Sequence, residues 1–200
     1  MSRLNKECLP GQTPQLPPGF EFLPTCIGFE KSLSLYEHLA TTLSWQQPSI
    51  TLFGRTSPIP RLQCFIADPS VSYGYSGTQL NSTPWPDVLR AMRSRLKREY
   101  EQDFNALLVN WYRDGQDSMG WHSDDEAELG LNPTIFSLSL GATRAFKIRH
   151  KQTRETVTLP LSTGSGLLMT GRSQHDYQHA LPKQARVTQG RINLTFRTVG

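Results

Sequence analysis

The chain has 200 residues, enough for one domain with a real core and too few for two of ordinary size. With 36% hydrophobic and 19% charged residues it fits neither a disordered chain nor a membrane protein, and no apolar run approaches the roughly 18 residues a spanning helix needs. Lys and Arg outnumber Asp and Glu by 21 to 17, a net charge of +4 with a pI near 9.1, which suits a polyanionic partner without requiring one.

In chain order, residues 1–19 hold Pro10, Pro14, Pro17 and Pro18 with Gly11 and Gly19 and no apolar period, and are expected to form a flexible arm ahead of a single domain over 20–200. Prolines stand where a signal peptide would need its apolar stretch, so a cytoplasmic protein is expected, and a monomer. Cys8, Cys26 and Cys64 are odd in number and lack paired spacing, which predicts reduced thiols rather than disulfides or a zinc site. Ser34 and Glu37 match a capping box, so a first helix is expected to open near Ser34, with Leu35, Leu39 and Leu43 on one stripe. A second helix is predicted from about Pro84–Asp87 to Gln102, with Leu89, Met92 and Leu96 inside and an Arg/Lys face outside, a face read as solvated surface in preference to a nucleic-acid contact.

From residue 104 onward the period falls to two. Strands are expected over 107–111, 134–140, 143–149, 155–159, 166–170 and 191–198, a pattern of short strands typical of a sandwich or jelly roll. In the last of them Ile192, Leu194 and Phe196 alternate with Arg191, Asn193, Thr195 and Arg197, which puts both arginines on one polar face. Alternation alone leaves open whether that face is solvated or lines a site.

His122 and Asp124 are also two apart, so an extended backbone sets imidazole beside carboxylate. Such a triplet arises by chance about 0.4 times in a chain of this composition, so a third ligand is required. His150, His175 and His179 follow it, and two histidines with one carboxylate make the facial triad of non-haem Fe(II) oxygenases.

The order of the pieces is informative. Asn110-Trp111-Tyr112-Arg113-Asp114, Trp121-His122-Ser123-Asp124-Asp125-Glu126, Ser137-Leu138-Ser139-Leu140-Gly141-Ala142-Thr143-Arg144, His179-Ala180-Leu181-Pro182 and Arg191-Ile192-Asn193-Leu194-Thr195-Phe196-Arg197 follow one another. With this set the sequence resembles the AlkB family, in its DNA-repairing branch. The resemblance implies a double-stranded β-helix, mainly β with flanking α-helices, that holds Fe(II) and 2-oxoglutarate. His122, Asp124 and His179 are the iron ligands it implies, and His175 matches no ligand position. It implies that Arg191, with Asn110 and Tyr112, holds the distal carboxylate of 2-oxoglutarate and that Arg197 faces the nearer one, with Asn193 and Thr195 lining the same pocket.

The same resemblance implies a nucleotide-recognition lid at about residues 50–80. In its Tyr73-Gly74-Tyr75-Ser76-Gly77 segment Tyr75 would stack on a flipped base, and Asp125 and Glu126 would favour a cationic base such as 1-methyladenine or 3-methylcytosine. Phe53, ahead of Arg61, resembles the apolar finger of duplex-acting members, although Ile50, Leu52 and Phe53 read equally well as a core strand. The implied reaction consumes O2 and 2-oxoglutarate and frees the N-methyl carbon of a DNA base as formaldehyde. An RNA demethylase, another hydroxylase of this fold and a non-catalytic nucleic-acid binder are the competing expectations.

Overall fold

The computed structural model describes residues 14–52, 54–71, 74–75, 78–79 and 81–200. In chain order these form β1 (Phe20–Leu23), α1 (Phe29–Thr42), β2 (Ser49–Leu52), β3 (Arg55–Pro58), β4 (Leu62–Ala67), β5 (Gly74–Tyr75), β6 (Thr78–Gln79) and α2 (Asp87–Tyr100). There follow β7 (Ala106–Tyr112), β8 (Met119–His122), β9 (Ile135–Gly141), β10 (Arg144–His150), β11 (Thr156–Leu161), β12 (Gly166–Met169), α3 (Ser173–Asp176), β13 (Tyr177–Leu181) and β14 (Arg191–Arg197).

Among the described residues a six-stranded sheet runs β1-β12-β9-β14-β7-β4 and a four-stranded sheet runs β11-β10-β13-β8, with every ladder antiparallel. The two sheets face each other: Tyr112, Ile135, Leu167 and Met169 of the larger one pack with Phe146, Ile148, Leu159, Leu161 and Leu181 of the smaller in one buried cluster. The fold is the expected jelly roll, or double-stranded β-helix.

Strand β14 lies at the centre, and all seven of its residues are buried. Its apolar face, Ile192, Leu194 and Phe196, joins a second core with Leu35 and Leu39 of α1 and Leu89 and Leu96 of α2. Both helices therefore cover the outer face of the larger sheet, and the polar face of β14 turns inward, between the sheets, rather than to solvent. That alternation costs desolvation of every polar group on the inner face, which calls for internal partners or a ligand.

Helix α1 opens earlier than its capping-box pattern predicts. Its N-cap is Gly28, in extended conformation, and the buried Ser32 hydroxyl donates to the Gly28 carbonyl at 2.9 Å. Ser34 and Glu37 sit exposed inside the helix, since burial of Ser32, Leu35 and Leu39 sets its phase. Helix α2 begins where expected and ends at Glu101, in left-handed conformation. Four of its five basic residues are paired within the surface: Arg90 with Asp87, Arg93 with Asp68 and Asp103, Arg95 with Glu99, and Lys97 with Asp103.

Strands β1, β4, β8 and β13 escape the alternation pattern because they are short or buried on both faces. The packed chain also starts before residue 20, since Leu16 rests against the cluster between the sheets. Cys26 and Cys64 carry free thiols, whose pKa values burial pushes up; Cys8 lies outside the described residues. No helix among the described residues is long and apolar enough to cross a membrane.

Candidate active site

Strands β13 and β8 pair so that His179 stands directly opposite His122, at the open edge of the smaller sheet. Asp124 follows two residues beyond His122, its backbone N–H held by the Gln174 side-chain carbonyl at 2.9 Å, while the Ser123 hydroxyl ties the segment to the Tyr177 carbonyl at 2.9 Å. The result is that one ligand atom from each of His122, Asp124 and His179 lies within 4.8 Å of the other two. That two-histidine, one-carboxylate set leaves further positions open for ligands, the donor chemistry that suits Fe(II).

Electrostatics prepare the three for a cation. The His122 Nδ1–H donates to the Gly120 carbonyl at 2.9 Å, which fixes the tautomer with Nε2 bare, the nitrogen that faces Asp124 at 3.7 Å. Burial pushes the His179 pKa down to about 3, and the neighbouring His122 adds to this against the pull of Asp124. Burial likewise lowers that of His122, opposed by Asp124. Burial works to protonate Asp124, but Arg197, whose Nη2 reaches Oδ1 at 2.9 Å, holds it below the usual carboxylate range. Neutral imidazoles and an ionised carboxylate are the forms a metal requires. Arg197 thus sits against a metal-ligand candidate.

The other two downstream histidines are committed elsewhere. His150 Nδ1 accepts from the backbone N–H groups of Gln152 and Thr153 at 3.2 Å each, capping a turn. His175 is exposed on α3 beside Asp176 and Arg172. Of the three downstream candidates only His179 reaches the cluster.

From these ligands a cleft runs between the sheets to Arg191, passing Asn110, Tyr112, Asn193 and Thr195. Arg191 is 2% exposed, and its Nη2 donates to the Ser139 hydroxyl at 2.8 Å and the Asn193 carbonyl at 2.7 Å. Asn193 also accepts from Ser137 at 3.0 Å and donates to Thr195 at 2.7 Å, so Asn193 and Thr195 form the network that orients the arginine. Among the described residues no carboxylate pairs with Arg191, and its Nε is buried without a partner. Burial pushes its pKa down to about 10, Tyr112 opposing and Arg144 adding to the effect. A buried guanidinium left uncompensated in this way is built for an anionic ligand.

The residues expected on the substrate side are described only in part. Asp125 is exposed and lies 3.4 Å from Lys151 Nζ, which partly neutralises it; Glu126 is half-buried beside it. Tyr73, Ser76 and Phe53 lie outside the described residues, and Tyr75 falls in β5, whose backbone pairs with β6. Arg61, read from the sequence as a further substrate-side candidate, is 3% exposed, its Nε donating to Asn110 Oδ1 at 2.9 Å.

Sequence reasoning gave no role to two supports. Gln174 holds Asp124 in place. Arg144, fully buried, donates to the carbonyls of Asp114, Asp117 and Pro182 and to the Gln184 side chain, and so clamps the loop after β7 to the loop after β13. In that clamp Gly115 approaches so closely that a Cβ would stand 1.9 Å from the Gln184 carbonyl oxygen. The signal available was an arginine at the inward phase of β10, where an apolar residue is the norm.

Comparison with known proteins agrees with this geometry. Residues 19–197 match the model of the 2OG-Fe(II) oxygenase superfamily. The chain is 39% identical to mouse alpha-ketoglutarate-dependent dioxygenase alkB homolog 3 over 186 residues, 88% of this chain and 64% of the relative. It is 40% identical to the bovine DNA oxidative demethylase ALKBH2 over 158 residues, 75% of this chain and 57% of the relative. The chain thus spans somewhat under two thirds of the length of these relatives. The solved structure of OsALKBH1, 20% identical, shares the fold with a TM-score of 0.63 over 92% of this chain and 100% of that one. The chain therefore belongs to the 2OG-Fe(II) oxygenase superfamily, in its AlkB branch.

Proposed function

We propose that this chain is an Fe(II)- and 2-oxoglutarate-dependent dioxygenase that removes N-linked methyl groups from bases in DNA, of the 1-methyladenine or 3-methylcytosine type. The observation that carries the reading is one cleft with two ends. His122, Asp124 and His179 converge within 4.8 Å at one, and at the other the buried Arg191 has no counter-charge among the described residues. The relatives that match over most of the chain include a protein named DNA oxidative demethylase. Fe(II) held by the triad would supply activation of O2, coupled to oxidation of 2-oxoglutarate, and with it hydroxylation of the methyl carbon.

The chain's own residues do the rest. Arg191 anchors the distal carboxylate with its paired donors, and Asn110 and Tyr112 share that task. Arg197 holds Asp124 ionised and faces the carboxylate nearer the metal. The neutral His122 and His179 leave their nitrogens free to bind. On the substrate side Tyr75, with Tyr73 and Ser76, closes over a base taken out of the stack, and His122 offers the opposing ring. Asp125 and Glu126 favour a cationic methylated base over its neutral parent. Strands β2 and β3 form a hairpin apart from both main sheets, paired up to Leu52 and Arg55. The connection between those strands contains Phe53, which we assign as the wedge that fills the gap left by a flipped base.

The test is anaerobic loading with Fe(II) and 2-oxoglutarate, admission of air, and mass spectrometry of methylated DNA and RNA oligonucleotides. Loss of one CH2 from methylated DNA with stoichiometric succinate supports the assignment. Loss from RNA alone moves the substrate to RNA, and succinate without any change in either oligonucleotide overturns the demethylase reading.

A further inference from the structure

Arg61 stands just ahead of β4, where Gln63 pairs with Asn110 of β7. Its backbone is pinned on both sides: the Arg61 N–H donates to the Ile59 carbonyl at 2.9 Å, and the Ser118 N–H donates to the Pro60 carbonyl at 2.9 Å. The side chain is buried, yet no carboxylate pairs with it among the described residues, and its Nη2 has no hydrogen-bond partner. Among the described residues the one hydrogen bond of its side chain is from Nε to Asn110 Oδ1, at 2.9 Å. A guanidinium can only donate, so the end of the Asn110 amide that faces it has to be the carbonyl. The other end, Nδ2, is then a donor. Asn110 lines the cleft with the candidate metal ligands and Arg191, and an amide left to itself there could offer either end.

We propose that Arg61 is a positioning residue for 2-oxoglutarate: it locks the Asn110 amide with its N–H2 toward the cosubstrate carboxylate. This rests on the reading of the cleft as a 2-oxoglutarate site. A buried, uncompensated arginine is costly to keep, and its hold on Asn110 gives a reason for its presence that a surface contact with nucleic acid would not.

The experiment is a double-mutant cycle on the full chain, Arg61→Gln and Asn110→Ala singly and together. It is read as the Kd of 2-oxoglutarate for the protein loaded with Mn(II) and kept from turnover, alongside the melting temperature. Glutamine can present either end of its own amide to Asn110, so the orientation is lost. Arg61→Gln is expected to raise that Kd about tenfold, the scale of one hydrogen bond to a charged group. The double variant should bind no more weakly than Asn110→Ala alone. In turnover the KM for 2-oxoglutarate should rise while that for the oligonucleotide stays put. Additive losses, or an unchanged Kd in Arg61→Gln, overturn the proposal. Should Arg61→Gln melt below the assay temperature, Arg61→Lys takes its place in the cycle with the same two outcomes. Failure of the unmutated protein to bind 2-oxoglutarate would instead overturn the functional reading beneath it.

Discussion

Arg191→Met separates cosubstrate binding from folding. Methionine is long and apolar, so it fills the same space and removes only the charge and donors. Two effects on stability oppose each other. A guanidinium pushed down to about 10 by burial is held less well by the folded chain than by the unfolded one, a cost of about 3 kcal/mol that the substitution relieves. Its two hydrogen bonds, to Ser139 and Asn193, are lost, at about 1.5 kcal/mol each. The sum is close to zero, so the melting temperature without cosubstrate should move by no more than a few degrees. Binding should respond very differently. The distal carboxylate loses a charge-assisted pair of about 2–3 kcal/mol, or roughly 30- to 150-fold in Kd. Calorimetric titration of 2-oxoglutarate into the Mn(II) protein measures the second effect and a melting curve the first. A large fall in melting temperature with parallel losses toward 2-oxoglutarate and oligonucleotide would refute the reasoning, because Arg191 would then be a structural residue.

His179→Ala should abolish turnover and metal retention, whereas His175→Ala, altered on the exposed α3, should keep both; the reverse result in a metal-binding titration would discard the triad. Burial tends to raise the Asp117 pKa, but Arg113 outweighs it, with its guanidinium and backbone N–H donating to the carboxylate, and holds it below the usual range. The stability this adds is complete above the unfolded value and fades as pH falls through the lower, folded one, so melting temperatures from pH 6 to 2 should drop less steeply at the acid end in Asp117→Asn than in the parent; equal slopes would show the pair to be inert. Phe53→Ala should depress repair of duplex substrates while sparing single strands and melting temperature. A stability loss of about 3–5 kcal/mol with both activities reduced would make Phe53 a core residue.

The sequence by itself determined the parts whose signal is local. Alternation in residues 191–197 placed Arg191, Asn193, Thr195 and Arg197 on one face, since a strand has a period of two whatever surrounds it. The two-residue spacing of His122 and Asp124 set the first half of a metal site, and the apolar stripe of α2 marked Leu89 and Leu96 as core. Composition and pattern could not say which way the polar face of β14 turns. Its apolar face had to be claimed first by α1 and α2, a contact between residues far apart in the chain, before the other was left to the cleft. The third ligand was chosen likewise: among the residues alone His150, His175 and His179 stood level, and pairing of β13 with β8 brought His179 opposite His122 while a turn consumed His150. Ser34 and Glu37 carried a capping pattern that burial of Ser32 and Leu35 overrode. Arg61 shows the limit most directly. In sequence it is a basic residue near an exposed loop, and only the β4–β7 register, which sets Gln63 across from Asn110, brings its guanidinium onto Asn110. Local chemistry fixes what a side chain can do, and long-range pairing decides what it meets.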